Sequence, residues 1–382
     1  MQRLLATACL CSAAALAQVP RQTPLPGQQR TTPRPQPAPT ATRTAALETR
    51  ITDGTLRRLN TRELILQSED DRIIWYRIAD NLDLSSDKFH PGDQLRVTST
   101  EDDAGNYTAM EVEWESAATD EDRTRALLTW DLPEQNETSD RVRTGPLPER
   151  PDDAAITNAR EAAANFVETL PKFAAKQNTT RYVQESARAQ WRALDVVTAD
   201  LVYKNGAEDY SNIKVNNKAT NKPFKEIDGL HSTGEFGSIL ANLFDPESGT
   251  DFARPSQVDL RGRKAWKYRF EAPRERSDFR ITTPSQLYYS GYGGAVWVDF
   301  DTSRVLRLEM QARALPKAFP FDTVELTIDY EFIRLEGAKQ FLLPTESEAL
   351  NCIRGTSVCM RNSTSFRNYV KFEAESSIIF DK

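Results

Sequence analysis

Apolar and polar residues alternate in short runs over residues 51–115: "GTLRRL", "ELILQS", "RIIWYRI", "DQLRVTST" and "YTAMEVEW". Between and before them stand "TDG", "SEDD", "HPGD" and "EDDAGN", turn chemistry at roughly the 8–12-residue spacing of small all-β domains. Five short strands predict a small closed barrel of OB-like type, because closure removes the exposed edges an open sheet would leave. A second alternating region follows. "AWKYRFE" puts Trp266, Tyr268 and Phe270 on one face and Lys267, Arg269 and Glu271 on the other. "VELTIDYEF" sets Val324, Leu326, Ile328, Tyr330 and Phe332 against Glu325, Thr327, Asp329 and Glu331. One apolar face and one wet face predict an antiparallel sheet.

Within "GGAVWVDFDTSRVLRLEMQA" (293–312), Val296, Val298 and Phe300 share a face, and after the turn at Asp301-Thr302-Ser303 it continues through Leu306, Leu308 and Met310. Alternation leaves undecided which face of the first strand points inward, so Trp297 belongs to either side.

Two segments carry helical rather than strand spacing. In "AAITNAREAAANFVETL", Ile156, Ala159, Ala163, Phe166, Val167 and Leu170 fall on one stripe, with Asp152 or Asp153 as cap and Pro171 as kink or end. In "STGEFGSILANLF", Ser232 to Glu235 reads as a capping box, and Phe236, Ile239, Leu240, Leu243 and Phe244 recur at i, i+3, i+4, i+7 and i+8. The predicted class is therefore mainly β (α+β). The organisation is 1–17 signal peptide, 18–50 Pro-rich tether, 51–115 barrel, 116–151 linker with "ALLTW" as a docking strand, and 152–382 antiparallel half-barrel wrapped around helices.

Composition changes this picture at the N-terminal end. Arg3, the apolar run Leu4 to Leu16 and Ala15-Leu16-Ala17 form a secretory pattern, which predicts export to the periplasm or the periphery of an outer membrane. Leu10 before Cys11 is not the small residue of a lipoprotein signal, so no lipid anchor is expected. The Pro-, Gln- and Thr-rich stretch that follows cannot bury enough apolar surface to offset ordering. Cleavage would leave Cys352 and Cys359, in "CIRGTSVC", as an even pair in an oxidising compartment. They predict a disulfide across a hairpin loop, worth about 2–3 kcal/mol by chain entropy.

Charge excludes one class of partner. The chain carries a net charge of −7, and residues 51–115 hold seven Lys and Arg against fifteen Asp and Glu. An acidic barrel is a poor phosphate-backbone binder, so no nucleic acid is expected.

Catalytic patterns find weak support. His90 lies in the "HPGD" turn and His231 ahead of the helix, far apart in sequence, and no G-x-S-x-G elbow is present. "VDFDTS" departs from the D-x-D-x-T phosphatase pattern by placing Thr302 one residue early and reads instead as a hairpin turn. "GYGG" (291–294) lacks the Lys and helix of a phosphate loop and reads as a flexible entry to a strand. No enzymatic site, metal or cofactor is expected.

Four segments carry a resemblance: "ETLPKFAAKQNTTRY" (168–182), "GEFGSILANLF" (234–244), "GGAVWVDFDTSRVLRLEMQA" and "FLLPTESEALNC" (341–352). From about 154 to 382 the chain resembles a family of uncharacterised exported bacterial proteins and, more distantly, the LolA/LolB class of periplasmic lipoprotein carriers. Residues 51–115 resemble small bacterial β-barrel modules, with "HPGDQLRV" as the turn into a strand. The carrier resemblance implies an incomplete barrel whose helices plug a cavity for acyl chains. The carriers' cavity arginine has no matching position here, and the N-terminal barrel and disulfide loop are additions.

Two functions follow as expectations. One is a binder or carrier of a lipid or lipoprotein acyl chain, with Phe236, Ile239, Leu240, Leu243 and Phe244 as lid and Trp266, Tyr268, Phe270, Trp297, Leu306 and Leu308 as lining. The other is a non-enzymatic envelope interaction protein with a filled core and a protein partner.

Overall fold

Period-two alternation is realised as strand wherever it is strong. The computed structural model describes residues 49–84, 88–120, 123, 143–149, 152–169, 172–204, 207–224, 227, 229–230, 235–335 and 340–371. The five N-terminal runs are β1 (Thr49–Leu59), β2 (Glu63–Ser68), β3 (Ile73–Ile78), β4 (Gln94–Glu101) and β5 (Tyr107–Ser116). Strand β1 thus begins at Thr49, which pairs with Thr100, two residues inside the stretch expected to be tether. The pairing runs β1 to β2, β2 to β3, β3 to β5, β5 to β4 and β4 back to β1, so within this circuit each of the five strands has two partners. Leu56, Leu64, Leu66, Ile74, Tyr76, Leu95, Val97 and Ala109 are buried together inside this circuit.

The "HPGD" turn is fixed by its aspartate. The buried Asp93 carboxylate accepts from the backbone N–H of His90 at 2.9 Å and of Ala118 at 3.0 Å. His90 itself is exposed.

The large sheet is antiparallel throughout. Its strands are β6 (Phe173–Gln184), β7 (Arg192–Lys204), β8 (Ala207–Val215), β9 (Lys218–Ala219), β10 (Asp251–Phe252), β11 (Ser256–Leu260), β12 (Arg263–Ala272), β15 (Gly291–Asp299), β16 (Val305–Arg313), β17 (Phe321–Arg334), β18 (Gln340–Ile353) and β19 (Cys359–Lys371). Their order is β10-β12-β15-β16-β17-β18-β19-β6-β7-β8-β9, with β11 beside β12. The "GYGG" segment is part of β15 itself rather than a flexible entry to it. A side chain on Gly294 would meet the Glu309 carbonyl oxygen at 1.9 Å, so only glycine lets β15 and β16 approach there. Cys352 and Cys359 face each other in the β18–β19 hairpin and form a disulfide.

Two short strands join the sheets. Strands β13 (Arg280–Thr282) and β14 (Gln286–Tyr289) form a hairpin emitted between β12 and β15, and β14 pairs with β3 of the N-terminal ring. A buried polar set locks the junction. The Gln286 amide donates to the Tyr107 hydroxyl at 2.6 Å, Arg72 donates to Gln286 Oε1 at 3.0 Å, and Ser285 Oγ accepts from the Tyr107 N–H at 2.8 Å. The described residues accordingly lie within one compact unit.

Helix α1 (Ala154–Thr169) starts and ends as its residues dictate. Asp153 Oδ1 accepts from the Ile156 N–H at 3.0 Å, and the helix stops two residues ahead of Pro171. Its Ile156, Ala159 and Ala163 are buried on the large sheet, whereas the side chains of Phe166, Val167 and Leu170 lie outside the described residues. Helix α2 (Ser238–Phe244) is shorter than expected. Gly237 holds the N-cap position at φ 151°, no side chain caps it, and Glu235 is not a helical residue. Ser232 and His231, like "ALLTW", lie outside the described residues.

Candidate functional site

The apolar face of β12, β15, β16 and β17 is covered by the two helices. In register across the sheet stand Tyr268, Val296, Leu308 and Ile328, and one step along stand Phe270, Gly294, Met310 and Leu326. Against this face α2 sets Leu240, Leu243 and Phe244, with Phe244 stacked on Phe252 at 5.6 Å. Ile239 packs partly buried on the same cluster. Of the expected lining, Tyr268, Phe270, Leu306 and Leu308 lie in it, each 4% exposed or less. Trp266 is half-buried at its end, stacked on Phe300 at 4.4 Å.

Two expected members sit elsewhere. Phe236 precedes α2 and enters a separate aromatic cluster, with ring centroids 5.0 Å from Phe366 and 5.4 Å from Phe173. Trp297 stands in register with Lys267 and Arg307, on the sheet face opposite Val296 and Val298. Lys267 Nζ lies 4.4 Å and Arg307 Cζ 5.7 Å from its ring centroid, and these two cations leave the indole only 7% exposed. Trp297 nonetheless belongs to the same buried cluster as Tyr268, Phe270, Leu306 and Leu308.

The covering helices are held by polar side chains that periodicity cannot reveal. The Tyr268 hydroxyl donates to both oxygens of Asp153 at 2.9 Å, which fixes the start of α1 to the sheet. Burial, reinforced by the Asp153 charge, pushes the Tyr268 phenol well above its ordinary value, so it remains a donor. Arg160 of α1 donates to the Phe244 carbonyl at 2.7 Å, satisfying the last turn of α2, and pairs with Asp152 at 2.6 Å. Just beyond α2, Asp245 accepts from Arg143 at 2.5 Å, and the same guanidinium reaches Asp278 at 2.5 Å. Glu235 is 2% exposed, with Tyr330 donating to its carbonyl at 3.1 Å and Ser347 to its carboxylate at 3.4 Å.

The "VDFDTS" aspartate serves the turn. Asp299 Oδ1 accepts from the Thr302 N–H at 2.9 Å and hydroxyl at 2.8 Å, and Arg263 pairs with both carboxylate oxygens at 2.8 and 3.0 Å. Burial works to raise this carboxyl, but the bonds from Arg263 and Thr302 outweigh it and hold it below its ordinary value. Among the described residues no cluster of His, Cys, Asp and Glu could hold a metal ion, and no helix is long and apolar enough to cross a membrane.

No family model matches the chain, and no curated protein matches it. Among solved structures it is similar to a DUF1329 family protein from Desulfovibrio piger, with a TM-score of 0.28 and 10% identity over 59% of this chain and 96% of that one. A likeness of that size carries no argument about function.

Proposed function

We propose that this chain is an exported binder or carrier of a lipid or lipoprotein acyl chain, working in the periplasm or at the periphery of an outer membrane. In this reading the large sheet is a half-barrel and the N-terminal ring a small five-stranded OB-like barrel stitched to it. The acyl chain lies on the face of Tyr268, Phe270, Leu306 and Leu308 when α2 swings away. The observation that carries the reading is the cover itself. A broad apolar face is closed in part by a helix of seven residues, too short to be stable alone, whose end is fastened by Arg160 and Arg143. Each methylene buried on that face contributes about 0.8 kcal/mol, so an acyl chain can replace what Leu240, Leu243 and Phe244 supply.

A second reading, an envelope interaction protein with a filled core, is favoured by the near-complete burial of those same side chains. Native mass spectrometry of mature protein purified from a bacterial periplasm separates the two. Adducts of acyl-chain mass that leave on delipidation and return with added lipid support the carrier. A clean mass unchanged by lipid supports the filled core.

A further inference from the structure

The face of the large sheet away from the helices holds an open groove of about 670 Å³ that crosses β12, β15, β16 and β17. Its floor is low because Gly293 and Ala295 occupy the central strand. At one end, just beyond the lining, Trp297 lies beneath Lys267 and Arg307. At the other the Glu271 carboxylate lies over Gly293, where a Cβ would meet its oxygen at 2.1 Å, and pairs with Arg313 at 3.2 Å.

What remains is a slot over Ala295, whose register neighbours are Arg269 on β12 and Glu309 on β16. Strands lie about 4.8 Å apart, so these two side chains rise from positions roughly 10 Å apart with only a methyl group between. Over Ala295 the nearest side chains differ in sign, while Glu271 and Asp251 stand farther along the first side and Arg313 and Arg307 along the second. On one side Arg269 makes no ion pair among the described residues, and Lys267, two residues along the same face, contacts the Trp297 ring but no carboxylate. On the other side, among the described residues, Glu309 accepts from Arg307 through Oε1 and Glu325 accepts from Gln311 through Oε1, which leaves Oε2 of each to face a ligand. Asp251, Gln311 and Thr327 complete the polar rim.

We propose that this groove binds a phosphoethanolamine group, its phosphate on Lys267 and Arg269 and its ammonium on Glu309 and Glu325. Two cations on one wall can each take one of the two non-bridging oxygens of a phosphodiester, and the Arg fork favours phosphate geometry. An ammonium brings three donors, which two carboxylates can share. The same group occurs in a soluble ester and on a lipid surface, and the groove lies on the opposite side of the sheet from the acyl site.

The test is a titration of the full mature chain at low salt with glycerophosphoethanolamine, glycerol phosphate and ethanolamine. Vesicles of phosphatidylethanolamine and of phosphatidylglycerol follow. Glycerophosphoethanolamine is expected to bind tightest. R269Q should weaken both phosphate compounds at least tenfold, and E325Q should weaken glycerophosphoethanolamine and ethanolamine but not glycerol phosphate. K267Q is a second cation variant should R269Q melt early. Binding of the ester together with phosphatidylethanolamine vesicles assigns a headgroup, and binding of the ester alone assigns a soluble source. No saturable binding, or equal affinity in the wild type, R269Q and K267Q, overturns the proposal.

Discussion

The Tyr268 hydroxyl and the Asp153 carboxylate meet at 2.9 Å through both carboxylate oxygens. One residue belongs to the middle of the sheet and the other caps α1, so the pair bolts the longer helix to the face it covers. Y268F removes the bolt and leaves the cap bond to Ile156 intact; a loss of about 1–2 kcal/mol is expected in denaturant unfolding. D153A removes both and should cost more, by roughly the further 0.5–2 kcal/mol of a lost N-cap. An unchanged stability in Y268F would show that the hydroxyl contributes nothing, and equal losses in the two variants would show that the cap bond adds nothing.

Acid sensitivity is expected at the β15–β16 turn. The folded state holds Asp299 below its ordinary value of 3.8, so its contribution is fully present above about pH 4 and is lost as pH falls through the folded value. D299N should be destabilised near neutral pH and lose less further stability between about pH 6 and pH 3 than the wild type. Parallel pH profiles for the two proteins would refute this assignment.

One amide lies at the centre of the junction between the two sheets. Q286A takes the Gln286 amide away from the Tyr107 hydroxyl and from an Arg72 N–H, and should cost about 1–3 kcal/mol. Limited proteolysis should then cut the 280–289 hairpin sooner than β17 or β18. Unchanged cleavage order would mean that the strand pairing alone holds the junction.

Reduction should affect stability modestly. The Cys352–Cys359 bond closes a short loop in a hairpin already in register, and chain entropy predicts about 2.5 kcal/mol. Unfolding midpoints with and without reductant measure it; a collapse of the whole fold on reduction would contradict it.

Much of this fold is legible from alternation. The five N-terminal strands, the 263–272 and 321–334 strands and the α1 cap follow from side chains that each need one buried face or one backbone partner. The 280–289 hairpin is not legible, because strands of three and four residues carry no period and their placement depends on Gln286, Arg72 and Tyr107, which are far apart in sequence. Helix α2 is shorter than its spacing predicts: Ser232 and Glu235 have the spacing of a capping box, yet Gly237 takes the N-cap position and Glu235 is bonded by Tyr330 and Ser347. For Trp297, pattern alone could not choose a face; the cation pair Lys267 and Arg307 does so in three dimensions.

The measurement that bears most directly on the acyl-chain reading is photocrosslinking of delipidated protein with a diazirine-bearing fatty acid, followed by mapping of the labelled peptides. The account predicts label within residues 238–244, 266–270 and 306–308, competed away by unlabelled fatty acid. Label confined to other segments, or none that competes, would contradict it.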